Sequence, residues 1–467
     1  MQFPTLSFGL FFLLVYAVTW ALNRSNDWRK IALLMASWFF YGAWDPRFVL
    51  LLFLSASGNW LLARAIAAAA AQARQRGLVL LGVVLNLGVL ATFKYAGFFL
   101  EQLDALLFSL GFGRDVPLLQ ILLPVGVSFF TFQAVSYLVD VQQRRIPPAS
   151  WLDLTLLMSF FPHLVAGPIV RGSDLLPQFR TAPRLDRGAA AAALLLILWG
   201  AFKKVVVASE LATALVDPAF RDPAHRSSLD LLFGAYGYAV QIYCDFSAYS
   251  DMAIGLALLL GYRFPRNFDQ PYRAASLQDF WRRWHISLSS WLRDYLYIPL
   301  GGSRKGRLRT MLNLFLTMVL GGLWHGANWT FVLWGALHGG WLAIERGLAR
   351  LVAGRVTVPR WIGMLITFHV VVLGWIFFRA PGLTDALAYL HGLGAGDWRN
   401  TLVTPLSLAL VAIGLAMHAL PPRGLQQLAE RMRHWPAPLV GALLALGLLL
   451  IGAMRPEGVA PFIYYQF

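Results

Sequence analysis

The stretch TMLNLFLTMVLGGLWHGANWTFVLWGALHGGWLAI, residues 310–344, runs for 35 residues without a charged side chain and carries His325 near its middle. A polar side chain at membrane depth is costly and is usually functional. As a single helix the stretch would be about 52 Å long, against about 30 Å for the hydrocarbon core of a bilayer. We therefore predict that it is broken, with Gly321-Gly322 and Gly326 as the break points. Irregular backbone at that depth must line a cavity or be covered by protein.

The composition is that of an integral membrane protein. Of the 467 residues, 58% are hydrophobic and 13% are charged, whereas a soluble domain has about 25% charged residues. The net charge of +16 fits basic loops beside anionic lipid, and no basic soluble domain indicates a nucleic-acid partner. The single cysteine, Cys244, excludes an internal disulfide and a multi-cysteine metal site. No zinc-type histidine spacing occurs either, so we predict no metal.

We predict an all-α, polytopic membrane protein forming one domain over residues 1–467. Apolar segments recur along the chain and predict roughly ten to twelve membrane-spanning helices, with re-entrant or interfacial helices beside them. The apolar run from Phe8 to Leu22 precedes Arg24, Arg29 and Lys30. This pattern predicts a first membrane helix with its far end in the cytoplasm, not a cleaved signal. Loops are predicted at 180–188, 214–230, 353–360 and 421–436.

The segment from residue 277 to 298 has too many charges to cross lipid. Ser276, with Asp279 three residues later, predicts a capping box that opens a helix. Tryptophans recur at helical spacing, and His285 shares their face, so we expect His285 to point inward. The helix is predicted to end at Pro299 and to lie in the cytoplasmic interface or under the transmembrane core.

The polar residues inside apolar segments have more than one interpretation. Histidine suits acid–base chemistry, but a buried histidine is often a hydrogen-bonded structural residue, and both interpretations stay open for His285 and His325. We interpret His338, between two tryptophans, as a packing residue. Asp245 and Asp251 need partners or a hydrated cavity. They are expected either to pair with the arginines of 282–293 or line a tunnel, or to form an ion pair that locks the helix bundle.

Two long motifs resemble one known family. FWRRWHISLSSWLRDYLYIPLGG at 280–302 and LGGLWHGANWTF at 320–331 are similar to the membrane-bound O-acyltransferases, and within them to the bacterial branch of alginate O-acetylation proteins. Shorter segments extend the resemblance over nearly the whole chain: Tyr41–Arg47, His163–Arg171, Asp245–Gly255, Asn267–Tyr272 and Pro461–Phe467. The resemblance implies helices around a central tunnel, with His325 as the catalytic histidine at its waist and His285 at a second polar position.

The resemblance also implies a reaction. Acetyl-CoA would be the cytoplasmic donor, and the acetyl group would cross the bacterial inner membrane to a periplasmic hydrolase-like partner of the SGNH type, working with polysaccharide assembly proteins. His325 would be general base or transient acyl carrier, and His285 would orient the thioester or donate to its carbonyl oxygen. The same motifs supply candidate substrate-binding residues: Trp281, Arg282, Arg283, Trp324, Asn328, Arg304 and Lys305.

Several alternatives remain at this stage. The basic loop 301–306 either contacts the CoA phosphates or is a plain turn facing anionic lipid. The acceptor is alginate, another exopolysaccharide or peptidoglycan, and D-alanyl transfer to teichoic acid uses the same kind of protein. A transporter or flippase is the non-enzymatic alternative, since intramembrane histidines and broken helices also suit proton-coupled transport.

Overall fold

The computed structural model describes residues 3, 5–112, 122–351, 358–421, 424–454 and 463, and these form helices and connections without a strand. Four described helices are long and apolar enough to cross a membrane, and a bent pair, Pro405–Ala419 with Gly424–Met432, would make a fifth. The four are Arg47–Ala68, Gln72–Ser109, Arg187–Arg221 and Arg360–Arg379. The all-α prediction is confirmed, whereas the number of spans stays a prediction. Of the predicted end motif Pro461–Phe467, all residues but Ile463 lie outside the described residues.

The chain divides into two compact units, and the prediction of a single domain stays a prediction. The first unit comprises Met1–Asp186 and Leu256–Pro265, and the second comprises Arg187–Gly255 and Arg266–Phe467. The helices of the first unit are α1 Leu6–Ala21, α2 Asn26–Gly42, α3 Arg47–Ala68, α4 Gln72–Leu90, α5 Ala96–Ser109, α6 Val127–Gln142, α7 Trp151–Ser159, α8 Phe161–Leu164 and α9 Gly172–Leu175.

The interior of the first unit is aromatic and contains a structural histidine. Phe161 packs against Phe11 and Phe40, with ring centroids 5.4 and 5.7 Å apart. His163 is fully buried, and its Nε2 lies 2.8 Å from the side-chain amide nitrogen of Gln133. The same amide donates to the carbonyl oxygen of Val170 at 2.9 Å. His163 is therefore a hydrogen-bonded residue of the interior.

The second unit carries both long motifs. Its helices are α10 Arg187–Phe202, α11 Ser209–Leu211, α12 Asp217–Arg221, α13 Ser228–Leu259 (whose last turn belongs to the first unit), α14 Leu277–Trp281, α15 Ile286–Leu292, α16 Arg307–His325, α17 Trp329–Leu351, α18 Arg360–Arg379, α19 Leu383–Gly394, α20 Pro405–Ala416, α21 Gly424–Met432 and α22 Ala437–Ala453. Because α21 is helical, the prediction of a loop over 421–436 is wrong. The predicted loop at 214–230 likewise contains α12.

Helices α16 and α17 form a closely packed hairpin. A Cβ atom at Gly322 would lie 2.2 Å from the carbonyl oxygen of Phe331, and one at Gly335 would lie 2.4 Å from that of Met318. Both distances are far inside van der Waals contact, so the two backbones approach this closely only because glycine has no side chain. Gly321 and Gly322 lie inside α16, so the break predicted there is wrong. Their role is packing.

The segment 277–298 is broken where a continuous helix was predicted. Helix α14 ends at Trp281 and α15 begins at Ile286, with His285 between them at φ 43° and ψ 56°. The predicted N-cap is confirmed, since Ser276 Oγ accepts from the backbone N–H of Asp279 at 3.1 Å. The carboxylate of Asp279 forms an ion pair with Arg283 at 2.9 Å. After α15 the chain continues as a π-helical turn, Arg293–Tyr297.

Candidate active site

His325 is the last residue of α16, at the junction with α17. Gly326 leaves the helix in an extended conformation, φ −163° and ψ 153°. A Cβ atom there would lie 2.1 Å from the ring of Phe331, so only glycine fits between the helix end and that ring. Asn328 then opens α17 because its Oδ1 accepts from the backbone N–H of Thr330 at 3.0 Å. The break predicted at Gly326 is confirmed.

Aromatic rings surround the imidazole of His325. The side chain is almost completely buried. Its ring centroid lies 4.9 Å from that of Trp324, 5.2 Å from that of Trp334 and 5.1 Å from that of Phe378, each at a steep angle. These contacts come from the end of α16, from α17 and from α18. The histidine is therefore held in an apolar environment where bulk water has little access.

His285 reaches the same aromatic cluster from the turn between α14 and α15. The residue is fully buried, and its left-handed backbone conformation is unusual for a residue other than glycine. Its ring packs at 87° on Phe246 of α13, with centroids 4.6 Å apart, and lies 6.2 Å from Trp324. Trp324 thus contacts both predicted histidines. Two residues 40 positions apart in the chain belong to one cluster.

The imidazole of His285 has a polar partner on one side only. Its Nδ1 lies 3.2 Å from Oδ1 of Asn267. Its Nε2 is buried and has no hydrogen-bond partner among the described residues. The turn that carries His285 is outside the candidate membrane spans, and burial lowers the pKa of His285 to about 3. The ring is therefore neutral at physiological pH.

Comparison with known proteins identifies the family. Residues 144–383 match the model of MBOAT, the membrane-bound O-acyltransferase family. Probable alginate O-acetylase AlgI of Pseudomonas aeruginosa is 42% identical over 454 residues, which cover 95% of this chain and 85% of that protein. This chain belongs to the membrane-bound O-acyltransferase family.

Two further relatives differ in the acceptors that their names give. Peptidoglycan O-acetyltransferase of Helicobacter pylori is 38% identical over 406 residues, covering 81% of this chain and 76% of that protein. Teichoic acid D-alanyltransferase of Streptococcus thermophilus is 28% identical over 280 residues, covering 54% and 68%. This membrane-bound O-acyltransferase is a multi-pass membrane enzyme of the O-acetyltransferase type. The transporter or flippase alternative is therefore set aside.

The other predicted site residues of this O-acyltransferase divide into two groups. Trp281 joins the aromatic cluster, with its ring centroid 5.6 Å from that of Trp334 and 5.4 Å from that of the buried His338. Asn328 caps α17 and donates to the carbonyl oxygen of Pro381 at 2.8 Å, so its contacts are structural. Arg283 is engaged with Asp279. The remaining basic candidates have exposed side chains and lie apart from the cluster: Arg282, Arg304 and Lys305.

The structure corrects the predicted partners of two acidic residues of this O-acyltransferase. Asp251 pairs with Lys203 at 2.7 Å, and Asp245 pairs with Lys204 at 2.7 Å. Both lysines lie on the π-helical segment Lys203–Ala208, so the expected pairing with the arginines of 282–293 is wrong. The interpretation as ion pairs within the bundle is confirmed. The lysines were missed because an apolar window predicts a plain membrane span.

Sequence reasoning also missed Asn267 and Trp334 as contacts of the two histidines. Asn267 belongs to a segment that carried the family resemblance, and this was the only signal that pointed to it. No cluster of three or more His, Cys, Asp or Glu side chains able to hold a metal ion occurs in the described part of the chain. Cys244 is buried.

Proposed function

We propose that this enzyme takes acetyl from acetyl-CoA at the cytoplasmic face of the bacterial inner membrane and passes it across for O-acetylation of alginate or a related exopolysaccharide. A periplasmic hydrolase-like protein of the SGNH type and polysaccharide assembly proteins would complete the system. One observation carries the proposal: His325 ends α16 inside a cluster of aromatic rings, in the motif that matches the family's catalytic histidine. The identity to an alginate O-acetylase over 95% of this chain supports alginate as the acceptor.

The chemistry assigned to His325 is acyl transfer. Its imidazole takes the proton of the acceptor hydroxyl as the new C–O bond forms and the thioester C–S bond breaks, and the CoA thiolate leaves and is reprotonated. Alternatively, a ring nitrogen of His325 carries the acetyl group between the two substrates. The surrounding rings of Trp324, Trp334 and Phe378 keep water away. Hydrolysis of the activated acetyl group is thereby disfavoured.

Exposed cations are proposed to bind the donor. Arg282, Arg304 and Lys305 have exposed side chains, and guanidinium and ammonium groups are the usual protein partners of phosphate. Arg283 contributes less, because its guanidinium is already paired with Asp279. We assign the three exposed residues to the phosphates of CoA.

Acetyl-CoA turnover by the purified protein tests the proposal. The full chain, reconstituted with its periplasmic partner and an alginate acceptor, should release free CoA thiol and acetylate the polymer. His325→Ala should insert and accumulate normally and yet release no thiol above background. His391→Ala changes an exposed histidine and serves as the matched control. Retained polymer acetylation by His325→Ala would overturn the assignment of His325.

Peptidoglycan is the second candidate acceptor. The 38% identity to a peptidoglycan O-acetyltransferase over 81% of this chain favours it over teichoic acid, whose D-alanyltransferase matches only 54%. The same reconstitution with peptidoglycan fragments in place of alginate separates the two. Faster acetylation of peptidoglycan than of alginate, each with its own partner, would move the acceptor assignment and leave the donor chemistry intact.

A further inference from the structure

Asn267 is oriented by its surroundings so that its amide oxygen faces His285. That oxygen, Oδ1, lies 3.2 Å from the backbone nitrogen of Ser287 and 2.8 Å from the Ser287 hydroxyl. A backbone N–H only donates, so the atom that it meets must be the oxygen and not the nitrogen of the amide. The other end of the amide, Nδ2, donates to Ser250 Oγ at 3.0 Å. The amide therefore has one orientation that satisfies its neighbours.

The orientation of Asn267 determines which nitrogen of His285 carries the hydrogen. Because the amide oxygen only accepts, Nδ1 of His285 at 3.2 Å must be the donor. The hydroxyl of Ser287, also 3.4 Å from Nδ1, gives its own hydrogen to Asn267 and so presents an acceptor to the ring. A neutral imidazole has one hydrogen. Nε2 of His285 is therefore an acceptor with a free lone pair.

The backbone holds the histidine in this arrangement. The N–H of Ile286 donates to the carbonyl oxygen of Asn267 at 2.9 Å, and the N–H of Asp269 donates to that of Arg283 at 2.9 Å. These two bonds clamp the turn in which His285 has its left-handed conformation. A strained, fully buried residue with an unsatisfied ring nitrogen is costly for folding. Such features persist where a ligand supplies the missing partner.

We propose that Asn267 is a positioning residue that holds His285 as the Nδ1–H tautomer, so that Nε2 accepts a hydrogen bond from the hydroxyl group about to be acetylated. The inference rests on the proposed acetyl transfer. Of the two reactants at the centre, only the acceptor hydroxyl offers a hydrogen, whereas the thioester carbonyl only accepts. His285 therefore meets the acceptor substrate. This replaces the role expected from the sequence, in which His285 donates to the thioester carbonyl.

A spectroscopic measurement tests the tautomer without reference to activity. Histidine labelled with ¹⁵N is incorporated into the full chain, which is then purified in detergent micelles, and His285→Gln identifies the signals of residue 285. The two ring nitrogens of a neutral imidazole have well-separated shifts. We expect the protonated-nitrogen shift at Nδ1 and the lone-pair shift at Nε2. The reverse assignment would overturn the proposal, whatever the enzyme is found to acetylate.

Three substitutions test the functional consequence. Asn267→Leu removes the acceptor, and we expect kcat to fall by about 100-fold or more, with little change in KM for acetyl-CoA. Asn267→Asp keeps an oxygen at the same place and should restore part of the loss. Ser250→Ala removes only the partner of the amide nitrogen, and it should keep the Nδ1–H tautomer with a much smaller effect on kcat.

The outcomes of the kinetic test separate the two proposals. Wild-type turnover by Asn267→Leu would overturn the positioning role while the acetyl transfer itself stands. If Asn267→Leu does not accumulate, the tautomer measured in the unsubstituted protein still decides. Loss of acetyl transfer only in His325→Ala, with none in His285→Gln, would also overturn the role of His285.

Discussion

The ammonium nitrogen of Lys204 lies 2.7 Å from Oδ1 of Asp245, and the two side chains are only 1% and 3% exposed. Oδ2 of Asp245 also accepts from the backbone N–H of Ile463 at 2.8 Å. A second pair, Lys203 with Asp251, lies beside it at 2.7 Å. Adjacent lysines on a π-helical turn thus face acids six residues apart on α13. A charge buried this deeply depends on its partner.

Breaking the Lys204–Asp245 pair on one side should be strongly destabilising. Lys204→Met leaves the Asp245 carboxylate buried without its cation, and we expect a loss of about 3–5 kcal/mol in the free energy of unfolding. The double substitution Lys204→Met with Asp245→Leu should recover most of that loss, because no buried charge remains. Unfolding of the detergent-solubilised protein measures both. Lys305→Met, on an exposed lysine, is the control, and a double variant as unstable as the single one would contradict the prediction.

The close packing of α16 on α17 should not tolerate a methyl group at Gly335. A Cβ atom there would lie 2.4 Å from the carbonyl oxygen of Met318 and 2.8 Å from Cα of Val319. We expect Gly335→Ala to cost about 1–3 kcal/mol and to lower turnover, because the hairpin positions His325. Gly340→Ala, in the same helix with nothing within 4 Å of its Cβ, should fold and turn over normally. Equal behaviour of the two variants in thermal unfolding and in acetyl transfer would refute the packing argument.

Glu345 of α17 should support the helix that carries Trp281. Its carboxylate accepts from the backbone N–H of Leu277 at 2.8 Å and from the indole N–H of Trp341 at 3.0 Å. Glu345→Ala removes the acceptor at the start of α14, and we expect a loss of about 1 kcal/mol, as for other helix caps. Turnover should fall with it, since Trp281 packs on Trp334. Glu345→Gln keeps one oxygen and should show a smaller change in both measurements.

The exposed basic residues should act on donor binding and not on the chemical step. The double substitution Arg304→Ala with Lys305→Ala is expected to raise KM for acetyl-CoA several-fold while kcat is retained, since uniform binding of substrate and transition state is what is lost. The effect should shrink at high salt, because exposed charges are screened. Arg399→Ala changes an arginine that is also exposed and pairs with Asp397, and it should leave KM unchanged. A fall in kcat at constant KM would place these residues in the reaction and not at the donor phosphates.

Local patterns predicted much of the framework. Low charge and repeated apolar segments indicated a membrane protein, and a charge-free stretch too long for one span indicated a break beside His325. The break lies at Gly326, where the ring of Phe331 leaves no room for a side chain. Gly321 and Gly322 carry the same sequence signal but pack inside α16. Glycine permits both a break and a close approach, so composition alone does not distinguish them.

The break at His285 had no local signal. Tryptophans at helical spacing run through the segment, and histidine rarely adopts a left-handed conformation. The interruption is held by backbone bonds to the loop at Asn267 and Asp269, which lies 14 to 18 residues earlier in the chain. Periodicity describes one segment at a time, and hydrogen bonds between segments therefore do not register in it.

By itself the sequence determined the membrane class, the family and the histidine that matches the family motif, because these follow from composition and from motifs read along the chain. Only the tertiary structure decided that Trp324 contacts both His285 and His325, that Lys203 and Lys204 neutralise Asp251 and Asp245, and that Asn267 faces the imidazole of His285. Each of these is a distance of a few ångströms between side chains far apart in the sequence. Such distances are set by how helices pack and where they break, and no single segment encodes them.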